Sequence, residues 1–213
     1  MKGMTRMRLD KPQLDAALTD YAEFPDEDEL EGARFNGLAI DYEDLHSREY
    51  RACVFTRCTL RNCDLTRAGF VDCVFDHCDL AGARLERAAV VRCEFIGCRL
   101  TGAEMIGAVL RHVRFADSNA DFLNLAEAKL ESVQLADSSL AEAAFNATIM
   151  KRTEITGCNL THAMFQQTPL KGMDMTGNRL HGLTIGFSDL RGMIVTEEQA
   201  AELALLLGLE IRR

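Results

Sequence analysis

The chain has 213 residues, a formal net charge of −9, 47% hydrophobic residues and 27% charged ones. These values describe a soluble, folded protein, and the acidic balance argues against a nucleic-acid binder that works by neutralising phosphates. The same balance permits the reverse role, a partner for a basic surface. The sequence holds no apolar run of about 18 residues that could cross a bilayer. The opening MKGMTRMRLDKPQLD lacks the apolar stretch of a signal peptide, so a cytoplasmic location is expected.

In chain order, the first expected element is a helix over residues 12–22. Pro12 suits a first helical turn, and Leu14, Ala17, Leu18 and Tyr21 recur at helical spacing. It would form an N-terminal helical cap, residues 1–27, packed over whatever follows. The acidic stretch Asp26-Glu27-Asp28-Glu29 reads as a solvated connection.

From Leu30 to Val195 every fifth residue is apolar, without an insertion or deletion, and only Ala120 is smaller than valine. A period of five fits neither a helix nor a strand and marks a solenoid of short identical units. Two residues before most centres stands a small side chain, such as Ala33, Ala68, Ala83, Ala103, Ser118 or Ala143, and all eight cysteines (Cys53, Cys58, Cys63, Cys73, Cys78, Cys93, Cys98 and Cys158) occupy this position. Small and large residues separated by one position face the same side of an extended segment, so both point inward. The residue just before the centre is often polar and should face out. Eleven of the 15 glycines lie two residues after a centre, where the chain must turn between faces.

Units such as Cys63-Asp64-Leu65-Thr66-Arg67, Cys78-Asp79-Leu80-Ala81-Gly82 and Cys158-Asn159-Leu160-Thr161-His162 resemble the repeats of the pentapeptide repeat family. The resemblance implies an all-β solenoid over residues 28–195, a right-handed quadrilateral β-helix with four pentapeptides per coil. Taken so, the repeats make about 8.5 coils and a rod of roughly 40 Å at the sheet-like spacing of about 4.8 Å. Each coil then contacts only its neighbours, and capped ends are expected. Ala120 leaves a small centre, and Val113 and Leu123 at normally small positions of the same coil could fill it. Phe122 beside them either folds inward or stands exposed.

At the C-terminal end, Thr196 with Gln199 forms a capping-box pattern. Ala200, Leu203, Ala204 and Leu207 make a stripe able to cover the last coil, and Gly208 sits at a helix C′ position. Leu205 and Leu206 project to either side of its back. A helix apolar nearly all round needs burial all round. Residues 196–213 are therefore expected to cap the rod and join two copies about a two-fold axis, with Leu203, Leu205, Leu206, Leu207 and Leu209 in the interface. The combined rod would be on the order of 80 Å long.

In coils of 20 residues, Cys53, Cys73 and Cys93 stack as one ladder and Cys58, Cys78 and Cys98 as another, so they read as small buried hydrophobes. No Cys-x-x-Cys pair points to zinc. His46, His77, His112, His162 and His181 all fall just after centres and read as surface residues. No phosphate loop or nucleophile elbow is present, so no enzyme, cofactor or metal is expected. The outward charge is more informative. On the face with centres 35, 55, 75 and onward stand Asp76, Glu94, Asp117, Asp137, Glu154 and Asp174, opposed only by Arg34, Arg57 and Arg114. A ladder of Phe35, Phe55, Phe75, Phe95 and Phe115 lies beneath them. The neighbouring side carries Arg92, Arg111, Lys129, Lys151, Arg152, Lys171 and Arg191.

A rigid file of carboxylates at this rise resembles, electrostatically, the phosphate edge of a DNA duplex. The tail Ile194-Val195-Thr196 with Gln199-Ala200, Leu203 and Leu207-Gly208-Leu209 is similar to that of Qnr-type and mycobacterial fluoroquinolone-resistance proteins. The uninterrupted coils fit the mycobacterial type better. The resemblance implies a non-enzymatic, homodimeric DNA mimic that binds a type II topoisomerase, DNA gyrase or topoisomerase IV. The outcome would be quinolone resistance or enzyme inhibition, with no direct nucleic-acid or membrane binding. The alternative is a cytoplasmic scaffold module joining other proteins.

Overall fold

The computed structural model describes residues 7–14 and 17–210, except for the side chain of Leu207. The described strands join into a 12-stranded sheet. The first are β1 (Thr19–Tyr21), β2 (Glu29–Glu31), β3 (Ala33–Asn36), β4 (Glu49–Arg51), β5 (Val54–Thr56) and β6 (Gly69–Val71). They are followed by β7 (Val74–Asp76), β8 (Ala89–Val91), β9 (Glu94–Ile96), β10 (Val109–Ala116), β11 (Lys129–Ala136) and β12 (Ile149–Thr156).

Beyond β1 every pairing is parallel and advances by 20 residues. Arg34 meets Val54, Val54 meets Val74, Val74 meets Glu94, and Glu94 meets Arg114. The two other sides are narrower columns of single bridges, from Ala39–Thr59 to Asn159–Arg179 and from Asp44–Asp64 to Met164–Thr184. Four pentapeptides therefore close each coil, and the fold is a parallel β-solenoid.

The interior repeats the sequence pattern. Phe35, Phe55, Phe75, Phe95 and Phe115 stack with centroids 4.9, 4.8, 4.7 and 4.7 Å apart. Phe145 and Phe165 add a second pair at 4.6 Å on another side. All eight cysteines are free and buried. Burial pushes the Cys63 and Cys98 thiols up to about 11. The small inward position also ties coils together. The Cys98 amide donates to Ser118 Oγ at 3.0 Å, the Thr148 amide to Thr168 Oγ1 at 3.1 Å, and the Cys158 amide to Asn178 Oδ1 at 2.9 Å. Around Ala120, Val113 and Leu123 are fully buried and fill the space, while Phe122 is 52% exposed.

The corner phase two residues after most centres has positive φ in glycines and other residues alike, Asn62, Asp117, Phe122 and Asp137 among them. The left-handed conformation costs a non-glycine residue about 1–2 kcal/mol. The coil-to-coil amide bonds made there, such as Asn62 to the carbonyl of Ala81 at 3.0 Å, hold it in place.

The N-terminal helical cap does not form in the described residues. Residues 7–14 are irregular, and β1 pairs in parallel with β3, Thr19 against Ala33 and Tyr21 against Phe35. A helix would have left the amides and carbonyls of the first coil unpaired, whereas a strand satisfies them. Tyr21 and Phe24 then close the Phe ladder, 5.5 and 5.2 Å from Phe35. The acidic connection after them is held by Arg48, which donates to the carbonyls of Pro25 and Glu27 and to Asp26 Oδ1.

The other end carries α1 (Glu197–Ala204), continued by a 3-10 turn over Leu205–Leu207 that ends at Gly208 with φ 72°. The capping box is formed: Thr196 Oγ1 accepts from the Gln199 amide at 3.2 Å, and the Thr196 amide donates to Gln199 Oε1 at 2.9 Å. The residues turned onto the last coil are Gln199 and Leu203, while Ala200 is exposed. Gln199 Nε2 donates to the carbonyls of Met175 and Asn178 at 2.9 and 2.8 Å. One side chain thus closes both the helix start and the open end of the solenoid.

Candidate interaction face

The six acidic residues singled out in the sequence share one flank but occupy three adjacent columns. Glu94 and Glu154 lie in the file Arg34–Val54–Val74–Glu94–Arg114–Gln134–Glu154, with Asp174 one repeat further. Asp76 sits across the Phe75 centre, register partner of Thr56 and Ile96. Asp117 and Asp137 are corner residues with φ 53° and 49°. Both are exposed, and Asp76, Glu94, Glu154 and Asp174 are half-buried. The parallel register sets their vertical spacing in multiples of the inter-strand distance, about 4.8 Å.

Several of these carboxylates have partners that the sequence does not reveal. Asp76 Oδ1 lies 2.7 Å from His77 Nδ1. The Thr176 hydroxyl, at 2.6 Å, and its amide, at 3.0 Å, both donate to Asp174 Oδ1 and hold its carboxyl below the usual range. Asp137 lies across Gly157, where a Cβ would come 2.3 Å from Asp137 Oδ1, so that glycine makes room for the acid. Glu154 Oε1 accepts from the amide of Met7 at 2.9 Å. Arg114 interrupts the flank, and its Nε is buried with no hydrogen-bond partner among the described residues.

The contact to Met7 belongs to a larger arrangement. Residues 7–14 run along the outside of the rod at the corner beside the acidic flank. The Asp10 amide donates to His112 Nδ1 at 3.1 Å and the Gln13 amide to Asp72 Oδ1 at 2.9 Å. No periodicity announces this course, because main-chain amides make the bonds and any residue but proline would allow them. Past Met7, a cleft of about 830 Å³ continues over the last coils between Arg152, Glu154, Lys171 and Asp174.

The neighbouring cationic side is partly neutralised. Arg92 makes two bonds to Asp72, at 2.7 and 2.6 Å, and Arg152 reaches Glu131 Oε1 at 2.7 Å. Arg111 lies 3.6 Å from Glu131. Among the described residues no three His, Cys, Asp or Glu side chains converge as a cation site. No described helix is long and apolar enough to cross a membrane.

At the C-terminal end Leu205, Leu206 and Leu209 are 59, 48 and 54% exposed, and Ile194 is 46% exposed. Leu203 is instead buried against its own rod. Of the five leucines expected at a dimer contact, three are exposed, Leu203 is not, and the Leu207 side chain lies outside the described set.

A four-sided parallel β-solenoid with one capping helix defines the class. The family model for the pentapeptide repeat region matches residues 44–124, 68–145 and 88–165, and the chain belongs to that family. Among solved structures it is similar to full-length QnrB1, a plasmid-mediated fluoroquinolone resistance protein. The TM-score is 0.51 at 15% identity, over 83% of this chain and 100% of that one. A trypsin-treated QnrB1 variant aligns at 20% identity and TM-score 0.47, over 92% and 97% of the two chains. HetL, a pentapeptide repeat protein involved in heterocyst differentiation regulation in the cyanobacterium Nostoc, aligns at 18% identity and TM-score 0.25, over 79% and 90%. No curated protein sequence matches.

Proposed function

We propose that this chain is a non-enzymatic binding protein of the cytoplasm that presents its acidic flank to the DNA-binding surface of a type II topoisomerase. The observation that carries this reading is the placement of Asp76, Glu94, Asp117, Asp137, Glu154 and Asp174 on one side of a rod whose parallel register fixes their spacing. A stiff row of carboxylates on a stacked core loses little conformational entropy on docking, so charge complementarity to a basic groove is not offset by ordering. The likeness in fold to a fluoroquinolone resistance protein makes DNA gyrase and topoisomerase IV the first partners to test. The exposure of Leu205, Leu206 and Leu209 supports a two-fold dimer through the C-terminal end, which would double the length of the acidic rod.

The direct test is gyrase supercoiling with purified protein, with and without a quinolone. Inhibition of supercoiling or relief of the drug at micromolar protein supports the reading. Unchanged activity in both assays contradicts it, and recovery of other partners from a pull-down would favour a scaffold module.

A further inference from the structure

We propose that the corner residues Asp72 and His112, together with Glu154 beside the corner Arg152 two coils further on, form a docking track for an extended peptide, and that residues 7–14 of this chain are its resident, exchangeable occupant. Three amides three residues apart, Met7, Asp10 and Gln13, donate to Glu154, His112 and Asp72 at 2.9, 3.1 and 2.9 Å. The spacing is commensurate. Three extended residues span about 10 Å, and two coils of the solenoid rise by about the same amount. A peptide lying along the axis therefore meets an acceptor with every third amide, and the acceptors come from the rod rather than from the peptide.

Part of this track is built independently of its occupant. Arg92 holds the Asp72 carboxylate through two bonds, Nε to Oδ1 and Nη2 to Oδ2, and Oδ1 also accepts from the Gln13 amide. His112 Nδ1 is both the acceptor for the Asp10 amide and 3.6 Å from the Asp10 carboxylate. The occupant is held loosely. None of residues 7–14 is buried, and residues 7–14 pair with no strand of the sheet. Exposed hydrogen bonds of this kind exchange readily with water or with a competing main chain. Leaving the track would also free Glu154. That consequence rests on the proposed role of the acidic flank, whereas the track itself requires no particular partner.

The test uses three full-length proteins: the wild type, Met7→Pro/Asp10→Pro/Gln13→Pro, and this triple variant with His112→Ala and Glu154→Ala added. Proline removes the three donors without altering the track. The probe is a labelled peptide of residues 7–14, MRLDKPQL. Expected is binding to the triple-proline protein at least tenfold tighter than to the wild type, whose own segment competes at high effective concentration. The protein that also lacks the two acceptors should bind at least tenfold more weakly than the triple-proline protein. Trypsin cleavage after Arg8 should be at least tenfold faster in the triple-proline protein and in a separate His112→Ala/Glu154→Ala protein than in the wild type. Equal peptide binding by all three proteins, binding by none, or equal cleavage rates would overturn the proposal. The cleavage assay on the acceptor variant alone decides the matter if the prolines disturb folding.

Discussion

Tyr50 stacks on Phe70 at 4.9 Å with an interplanar angle of 7°, in the file that otherwise holds Leu30, Val90, Leu110, Leu130 and Met150. Its hydroxyl is buried without a hydrogen-bond partner among the described residues, and burial pushes its ionisation well above the ordinary range. The ring contributes packing while the hydroxyl contributes only a desolvation cost. Tyr50→Phe is therefore expected to stabilise the protein by about 1 kcal/mol, a buried unsatisfied group costing about 1–3 kcal/mol. A thermal or urea melt checks this, and a loss of stability would reveal an unrecognised partner for the hydroxyl. The corner residues show the opposite balance. Phe122 holds a left-handed backbone with its ring 52% exposed. The sequence left its orientation open because a bulky residue at this phase has two outlets, and Val113 and Leu123 had already taken the inner one.

At the scale of elements, what was legible followed the period. Centres, small inward residues and turning glycines each recur every five residues, so one error would have displaced them all. The N-terminal element departs from its helical spacing for a physical reason. Leu14, Ala17, Leu18 and Tyr21 have helical spacing, but the open edge of the first coil and the end of the Phe ladder outweigh local propensity, and both favour a strand at Thr19–Tyr21. The helix at the other end was legible from its capping box, but the second role of Gln199 was not, since its acceptors lie more than 20 residues away. Gln199→Ala should cost about 1–3 kcal/mol, because the carbonyls of Met175 and Asn178 lose their donor at the end of the rod. Denaturant unfolding measures that cost, and a change below about 0.5 kcal/mol would show that water replaces the amide. The candidate site was legible as a set of charges on one flank. Its division into three columns, and the capture of Glu154 by Met7, depend on the corner geometry and on main-chain donors that carry no sequence signal.

For the whole molecule, each coil touches its neighbours alone, so stability and function both depend on what closes the ends. The N-terminal end is closed by β1, Tyr21 and Phe24. The C-terminal end is closed by α1, which leaves Leu205, Leu206 and Leu209 outside. If these join two copies, Leu205→Glu/Leu206→Glu should run as a monomer in sedimentation velocity at concentrations where the wild type is dimeric. Its melting behaviour should change little, since neither side chain is buried in the rod. A wild type that sediments as a monomer at tens of micromolar would remove the dimer from the account.

The claim on which the function rests is that the acidic flank stands in for DNA. The most direct measurement is the affinity of purified gyrase for the wild type and for Asp117→Lys/Asp137→Lys, at low and at physiological salt. Both aspartates are exposed at corners, so the fold should persist. The account predicts at least a tenfold loss of affinity for the reversed protein and a steep fall with salt for the wild type, because exposed charges are screened beyond about 8–10 Å. Equal affinity for both proteins, or binding indifferent to salt, would contradict it.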